Sequence, residues 1–258
     1  HSPIRYAWNQ YFAYFSPEQL SFFSRLLIPP VMHRLRVWDE SSAARVDHFV
    51  ANSDNVARRV LKYYRREADV IHPPADTEFF RPLADKPKSA DFLIVSALVP
   101  YKRIDLAIET FNRSGEKLLI VGTGPDLKML RKRARPNIVF LGQVPAEDLR
   151  ALYHKARALI LPGEEDFGIT AVEAQACGTP VLAFGRGGAL ESILPGQTGL
   201  FFPELTASSL GAALDKFRGL KFNGAVIRSN AEKFSRRAFK EKLAAYLEQK
   251  WAEFKGKR

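Results

Sequence analysis

From Asp91 onward, runs of four or five mostly apolar residues recur between stretches of helical spacing. No other feature of the chain limits its fold as strongly. The runs are Phe92–Val95, Lys117–Val121, Ile138–Gly142, Ala158–Leu161, Pro180–Phe184 and Gly199–Phe202. A strand that is apolar on both sides needs cover on both faces, which parallel sheets with helical crossovers provide. Helical periodicity from Ile104 to Phe111, and again up to Arg135, supplies such crossovers. The pattern predicts an α/β domain over residues 91–229 with a doubly wound parallel sheet. Ligands of such sheets sit outside the carboxyl ends of the strands, so the site is expected in strand-end loops.

Residues 1–90 follow a different pattern. Trp8, Tyr11, Phe12, Tyr14, Phe15, Phe22 and Phe23 crowd the start, and Pro29-Pro30 is expected to end that run. Asp47–Ser53 reads as a short strand ending at an N-cap serine. A basic helix over 54–66 and a second strand over Ala68–His72 follow. Prolines 73, 74, 82 and 87 mark a linker, placed at 76–90. Asn230–Arg258 reads as one long amphipathic helix, with Phe234, Phe239, Leu243, Tyr246 and Leu247 as its apolar stripe.

Composition removes several classes. Nineteen Phe, 8 Tyr and 3 Trp are too many rings for a disordered chain. Cys177 is alone, so no disulfide framework holds the fold. No apolar run reaches the ~18 residues that span a bilayer. The net charge of +11 permits anionic partners, but no zinc-finger, RNA-recognition or basic-zipper pattern is present, so nucleic acid is not expected.

Three strand-end loops carry chemistry. In Val99-Pro100-Tyr101-Lys102-Arg103, Lys102 can face an anion near a helix start, although a plain surface lysine would look the same. In Gly122-Thr123-Gly124-Pro125-Asp126, two glycines allow a close backbone approach. Leu127 stands where a dinucleotide fingerprint needs a third glycine, so an ordinary tight turn fits equally well. The third loop, Gly163-Glu164-Glu165-Asp166-Phe167-Gly168-Ile169-Thr170, leads into Ala171-Val172-Glu173. Its amides at Ile169 and Thr170 open a helix whose positive end favours an anion. A capping box from Thr170 to Glu173 would explain one acid, but not the cluster Glu164–Asp166.

Glu165 and Glu173, with seven residues between them, resemble the E-x7-E motif of retaining GT-B glycosyltransferases, family 4. The context is similar as well, in Phe167-Gly168, in Glu173–Val181 and in Gly187-Gly188-Ala189-Leu190-Glu191. Val99–Asp105 resembles the stretch after the first strand of that family's C-terminal domain. Within the family the likeness is closest to bacterial mannosyltransferases of polysaccharide and O-antigen assembly. The resemblance implies a GT-B-like architecture with one complete Rossmann-like domain, which binds the nucleotide sugar, and an incomplete N-terminal α/β domain at residues 1–75. The helix over 230–258 would cross back to that N-terminal part. About the first hundred residues of a typical member, which would supply most strands of its N-terminal domain, are expected to have no counterpart in the chain.

The resemblance also implies residue roles. Lys102 would bind the donor diphosphate and Glu165 the donor sugar, together with the backbone of Phe167, Gly168 and Ile169. Thr170 would sit at the phosphates and Glu173 at the ribose. Gly122 and Gly124 would border the nucleotide pocket, and Val144 would lie near the base. His1, opening His1-Ser2-Pro3, resembles the family's active-site histidine segment and would approach the donor sugar. Neither metal nor resident cofactor is implied, because Lys102 and the helix end take the metal's place. The expected donor is a nucleoside-diphosphate hexose such as GDP-mannose, and the expected acceptor a glycan or a lipid-linked sugar. A cytoplasmic location is expected, with the inner membrane face as a candidate surface and a chain that supplies the missing strands as a candidate partner. One departure matters: where the family places an arginine five residues before the lysine, this chain has Ala97. Two alternatives therefore stay open, a nucleotide-sugar-binding half that is inactive alone and a basic anion- or lipid-binding surface.

Overall fold

The computed structural model describes residues 2–15, 20–83 and 89–256. They form two compact units, His1–Val70 and Ile71–Arg258.

The first unit contains α1 (Tyr11–Tyr14), α2 (Phe22–Ala43), β1 (Val50–Ala51), α3 (Asp54–Tyr64) and β2 (Asp69–Val70). The two strands pair in parallel, with α3 as the crossover. Ser53 caps α3 by accepting from the Val56 amide at 3.1 Å. Val56 and Val60 then pack beneath Ala51. Asp39 of α2 is buried and accepts from Trp8 Nε1 at 2.8 Å and from the Tyr64 hydroxyl at 2.9 Å. Burial and this carboxylate push the Tyr64 phenol well above its ordinary range. Pro29 and Pro30 do not end the aromatic run, as the sequence suggested; α2 passes through both. Proline's fixed φ suits a helix, and its usual penalty is an orphaned carbonyl one turn back. Here those carbonyls belong to Arg25 and Leu26, which are exposed to water.

The second unit opens with an extended segment that buries Ala75 and Phe80 in its core. The elements that follow are β3 (Phe92–Val95), a 3-10 turn (Pro100–Lys102), α4 (Ile104–Ser114), β4 (Leu118–Val121), α5 (Leu127–Arg133), β5 (Ile138–Gly142), α6 (Ala146–Lys155) and β6 (Ala158–Leu161). Then come α7 (Ile169–Ala176), β7 (Val181–Phe184), α8 (Ala189–Ser192), β8 (Gly199–Phe202), α9 (Ala207–Arg218), α10 (Gly224–Glu232) and α11 (Arg236–Lys255). The six strands pair in parallel in the order β5-β4-β3-β6-β7-β8. Successive side chains feed opposite faces. Phe92 and Ile94 join one core with α4 and α9, while Leu93 joins a second core with α6 and α7. The winding direction reverses between β3 and β6, and the crevice at that reversal is where an open α/β sheet binds ligands.

The C-terminal segment is two helices rather than one. Ser235 interrupts it by accepting from the Ala238 amide at 3.2 Å, which starts α11 afresh. Phe234 is drawn inward instead of joining the stripe. Its carbonyl accepts from the Ala75 amide at 2.8 Å, and its ring packs on His72 and Phe167. Among the described residues, no helix is long and apolar enough to cross a membrane.

Gly122 shows how tightly the strand ends meet. It has φ +126°, and a Cβ there would lie 1.9 Å from the Ser96 carbonyl oxygen. Gly122→Ala is expected to lose about 3–5 kcal/mol from strain and overpacking together. Gly115, also at positive φ but facing open space, should lose only about 1–2 kcal/mol as Gly115→Ala. Urea midpoints of the two variants test the contrast.

Candidate functional site at the switch point of the sheet

The topology places the loop after β3 beside the loop after β6. Lys102 closes the 3-10 turn after β3, and Glu165 precedes α7 after β6. The Lys102 ammonium donates to Glu165 Oε2 at 2.5 Å, with only 15% and 13% of the two side chains exposed. Glycines make this approach possible. A Cβ on Gly163 would lie 2.6 Å from the Tyr101 carbonyl oxygen, and one on Gly188 would lie 2.1 Å from that of Asp166. The Gly188 amide donates to the Glu165 carbonyl at 2.9 Å, which ties the acidic loop to the start of α8.

Helix α7 begins from Gly168 at φ +85°, with no capping side chain. The amides of its first turn therefore point out of the helix towards the switch point, where an anion is favoured. The capping box weighed from the sequence does not form. Gly168, not Thr170, is the cap, and the Glu173 carboxylate is engaged elsewhere. The Tyr153 hydroxyl of α6 donates to Glu173 Oε2 at 2.8 Å. Burial raises the pKa of Glu173, and this hydrogen bond opposes the rise. The Tyr153 phenol is held far above its ordinary value, first by burial and then by the neighbouring carboxylate.

Beside α7 a cavity of about 560 Å³ opens at the ends of β3, β4 and β5. Ser96, Ala97, Gly122, Thr123, Val144 and Thr170 are among its lining residues. The structure thus brings Gly122, Val144 and Thr170 into one cavity; Lys102 and Glu165 pair with each other and do not line it. Glu173 lies one turn beyond Thr170 on the same face of α7. Gly124 does not line the cavity; a Cβ there would meet the Leu98 carbonyl at 2.3 Å, so this glycine shapes the turn. The Phe167 ring points away, buried against His72 and Phe234, which leaves only its backbone for a ligand. Arg103, adjacent to Lys102, turns to Asp105 at 3.2 Å. His1 lies outside the described residues.

Sequence reasoning passed over Ser96, Thr123, Gln143 and Tyr153. The first three follow strand ends and were legible as such. Tyr153 gives no signal of its own, because an aromatic on the apolar side of a helix usually marks core.

Residues 75–241 match the family Glycosyl transferases group 1. A D-inositol 3-phosphate glycosyltransferase of Mycobacterium marinum is 27% identical over 222 residues, covering 76% of this chain and 45% of that protein. The protein of the same name from Acidothermus cellulolyticus is 30% identical over 224 residues, covering 72% and 50%. The chain spans about half the length of the curated relatives it matches. Among solved structures, Anabaena HepE in complex with UDP and glucose superposes with a TM-score of 0.71 at 19% identity, covering 83% of this chain and 66% of that one. The lipopolysaccharide outer core galactosyltransferase WaaB, in its apo form, superposes at 0.66 with 20% identity, covering 80% and 62%. These likenesses agree with the doubly wound α/β sheet expected from the strand pattern and with the GT-B-like architecture that the motif resemblance implied.

Proposed function

The chain belongs to the group 1 glycosyl transferases, and from that premise we propose that residues 71–258 hold the donor of a hexose transfer. The donor is a nucleoside-diphosphate sugar, and the transfer retains configuration at the anomeric carbon. One observation carries the reading: Lys102 and Glu165 meet at the switch point, on the loops that lead from β3 and into α7, and the Thr170 end of α7 lines a cavity of about 560 Å³.

In this reading Lys102 and the first amides of α7 hold the diphosphate, with Thr170 beside it. Glu173 accepts from the ribose hydroxyls, and Gly122 and Val144 border the nucleotide. Gly124 acts through the shape of its turn. Glu165, with the backbone of Phe167, Gly168 and Ile169, orients the hexose. The acceptor hydroxyl attacks from the face that the diphosphate leaves, and a leaving phosphate oxygen takes its proton. The protein's part is positioning and stabilisation of charge on the leaving group. Mannose as the hexose, and a lipid-linked acceptor at a membrane surface, belong to the same proposal. They rest on motif likeness and on the basic clusters Arg58–Arg66 and Arg236–Lys242.

Calorimetric titration with UDP, GDP, UDP-glucose and GDP-mannose tests the reading. One nucleotide should bind selectively at micromolar to millimolar concentration, and Glu173→Ala should weaken it at least ten-fold, the loss of a hydrogen bond to a charged group. Absence of binding by every nucleotide at millimolar concentration would overturn the proposal.

A further inference from the structure

We infer that Tyr153 is a positioning residue for Glu173, fixing its carboxylate in the orientation that receives the donor's ribose hydroxyls. This inference rests on the ribose role proposed for Glu173. A buried phenol needs a hydrogen-bond partner, and a nearby backbone carbonyl is the simplest one. In this protein the phenol of a fully buried tyrosine is instead committed to a carboxylate on the helix that opens at the proposed phosphate site.

The donor itself is held in place. The Thr179 hydroxyl, also fully buried, donates to the Tyr153 carbonyl at 2.6 Å. The ring meets Phe80 edge-on at 5.6 Å. With its phenol kept protonated, Tyr153 can only donate to Oε2, and Oε1 remains for a ligand hydroxyl. A carboxylate locked in one rotamer before the ligand arrives loses less freedom on binding.

The bond also opposes the effect of burial on the ionisation of Glu173. Among the described residues, the ionisable groups acting on this pair are each other and Cys177, one turn along from Glu173. Burial drives Glu173 towards its neutral form, and the phenol resists that drive. Removing the hydroxyl should therefore move the titration of Glu173 to higher pH. Nucleotide binding that needs the carboxylate would then be lost at higher pH than in the parent protein.

The experiment compares the parent 258-residue chain with Tyr153→Phe, Phe80→Leu and Glu173→Gln. It uses calorimetry with the best-binding nucleoside diphosphate across pH, and carboxyl carbon NMR of labelled glutamate in the unliganded chain. Tyr153→Phe should weaken binding about five- to ten-fold near neutral pH. It should also raise both the acid limb of binding and the Glu173 titration. Phe80→Leu disturbs the same packing but keeps the phenol, so it should lower stability and leave both titrations in place. Should Tyr153→Phe not fold, Thr179→Val releases the Tyr153 carbonyl and should shift the titrations in the same direction. An unmoved Glu173 titration in the folded Tyr153→Phe variant overturns the inference. Binding that is indifferent to Glu173→Gln overturns the ribose reading instead, and the ligand-free titration still decides whether Tyr153 holds the carboxylate.

Discussion

Glu165→Gln is expected to tighten binding of a bare nucleoside diphosphate by about five- to thirty-fold while lowering sugar transfer by about 10²–10³-fold. The two effects have opposite signs because Glu165 faces two groups. Without ligand, its carboxylate holds the Lys102 ammonium at 2.5 Å in a largely buried pair. A diphosphate must take that lysine from the carboxylate, and must do so beside a like charge. Glutamine removes the competitor and the repulsion together, while keeping the size of the side chain. The lysine is then left short of a counter-charge, a costly state for a buried cation that a phosphate relieves. In the proposed reading a hexose needs the carboxylate as an acceptor for its hydroxyls, so transfer should suffer where nucleotide binding gains. Lys102→Ala should weaken both. Titration of UDP and GDP, beside an assay of sugar-nucleotide turnover, separates these outcomes. Weaker nucleotide binding by Glu165→Gln would mean that the pair supports the phosphate site rather than competing with it.

This opposition could not be read from the sequence, although both partners could. Lys102 and Glu165 were legible because each follows an apolar run at a strand end. The strand order that makes them neighbours was not, since β3 and β6 are 66 residues apart at their starts and pair only in the folded sheet. The sheet itself was legible because strands covered on both faces must be apolar throughout, as in Phe92–Val95 and Ala158–Leu161. Local capping chemistry proved harder to weigh. Ser53 was read correctly as a helix start, yet Ser235 was absorbed into a helix because apolar residues on both sides of it continued the period. Pro29-Pro30 misled for the opposite reason. Two breakers were given more weight than a solvent-facing helix has to give them. The role of Tyr153 depends on where α6 lies against α7, which no spacing within either helix records.

Ala97→Arg is expected to tighten phosphate-bearing ligands by about 10- to 100-fold, the worth of one charge-assisted hydrogen bond or a bidentate pair. Ala97 lines the cavity together with Ser96 and Thr170, and it is exposed. A guanidinium can therefore be added there without displacing packed core. Arg103 does not already fill the role, because it turns to Asp105. Lys102, meanwhile, donates to Glu165. The site as it stands has a competing carboxylate beside its lysine and no second cation at position 97, which points to weak nucleotide binding by the chain as it is. The gain from Ala97→Arg should appear with UDP and GDP and vanish with uridine and guanosine. An equal gain with the bare nucleosides would place the new side chain on the base or ribose instead. Combining Ala97→Arg with Lys102→Ala completes the argument. If both cations address the same diphosphate, the double variant should retain the gain from arginine on a weaker baseline, and the coupling energy will measure how far the two share one phosphate. No gain in either background would mean that the diphosphate does not lie between β3 and α7, and the donor reading of this cavity would fall with it.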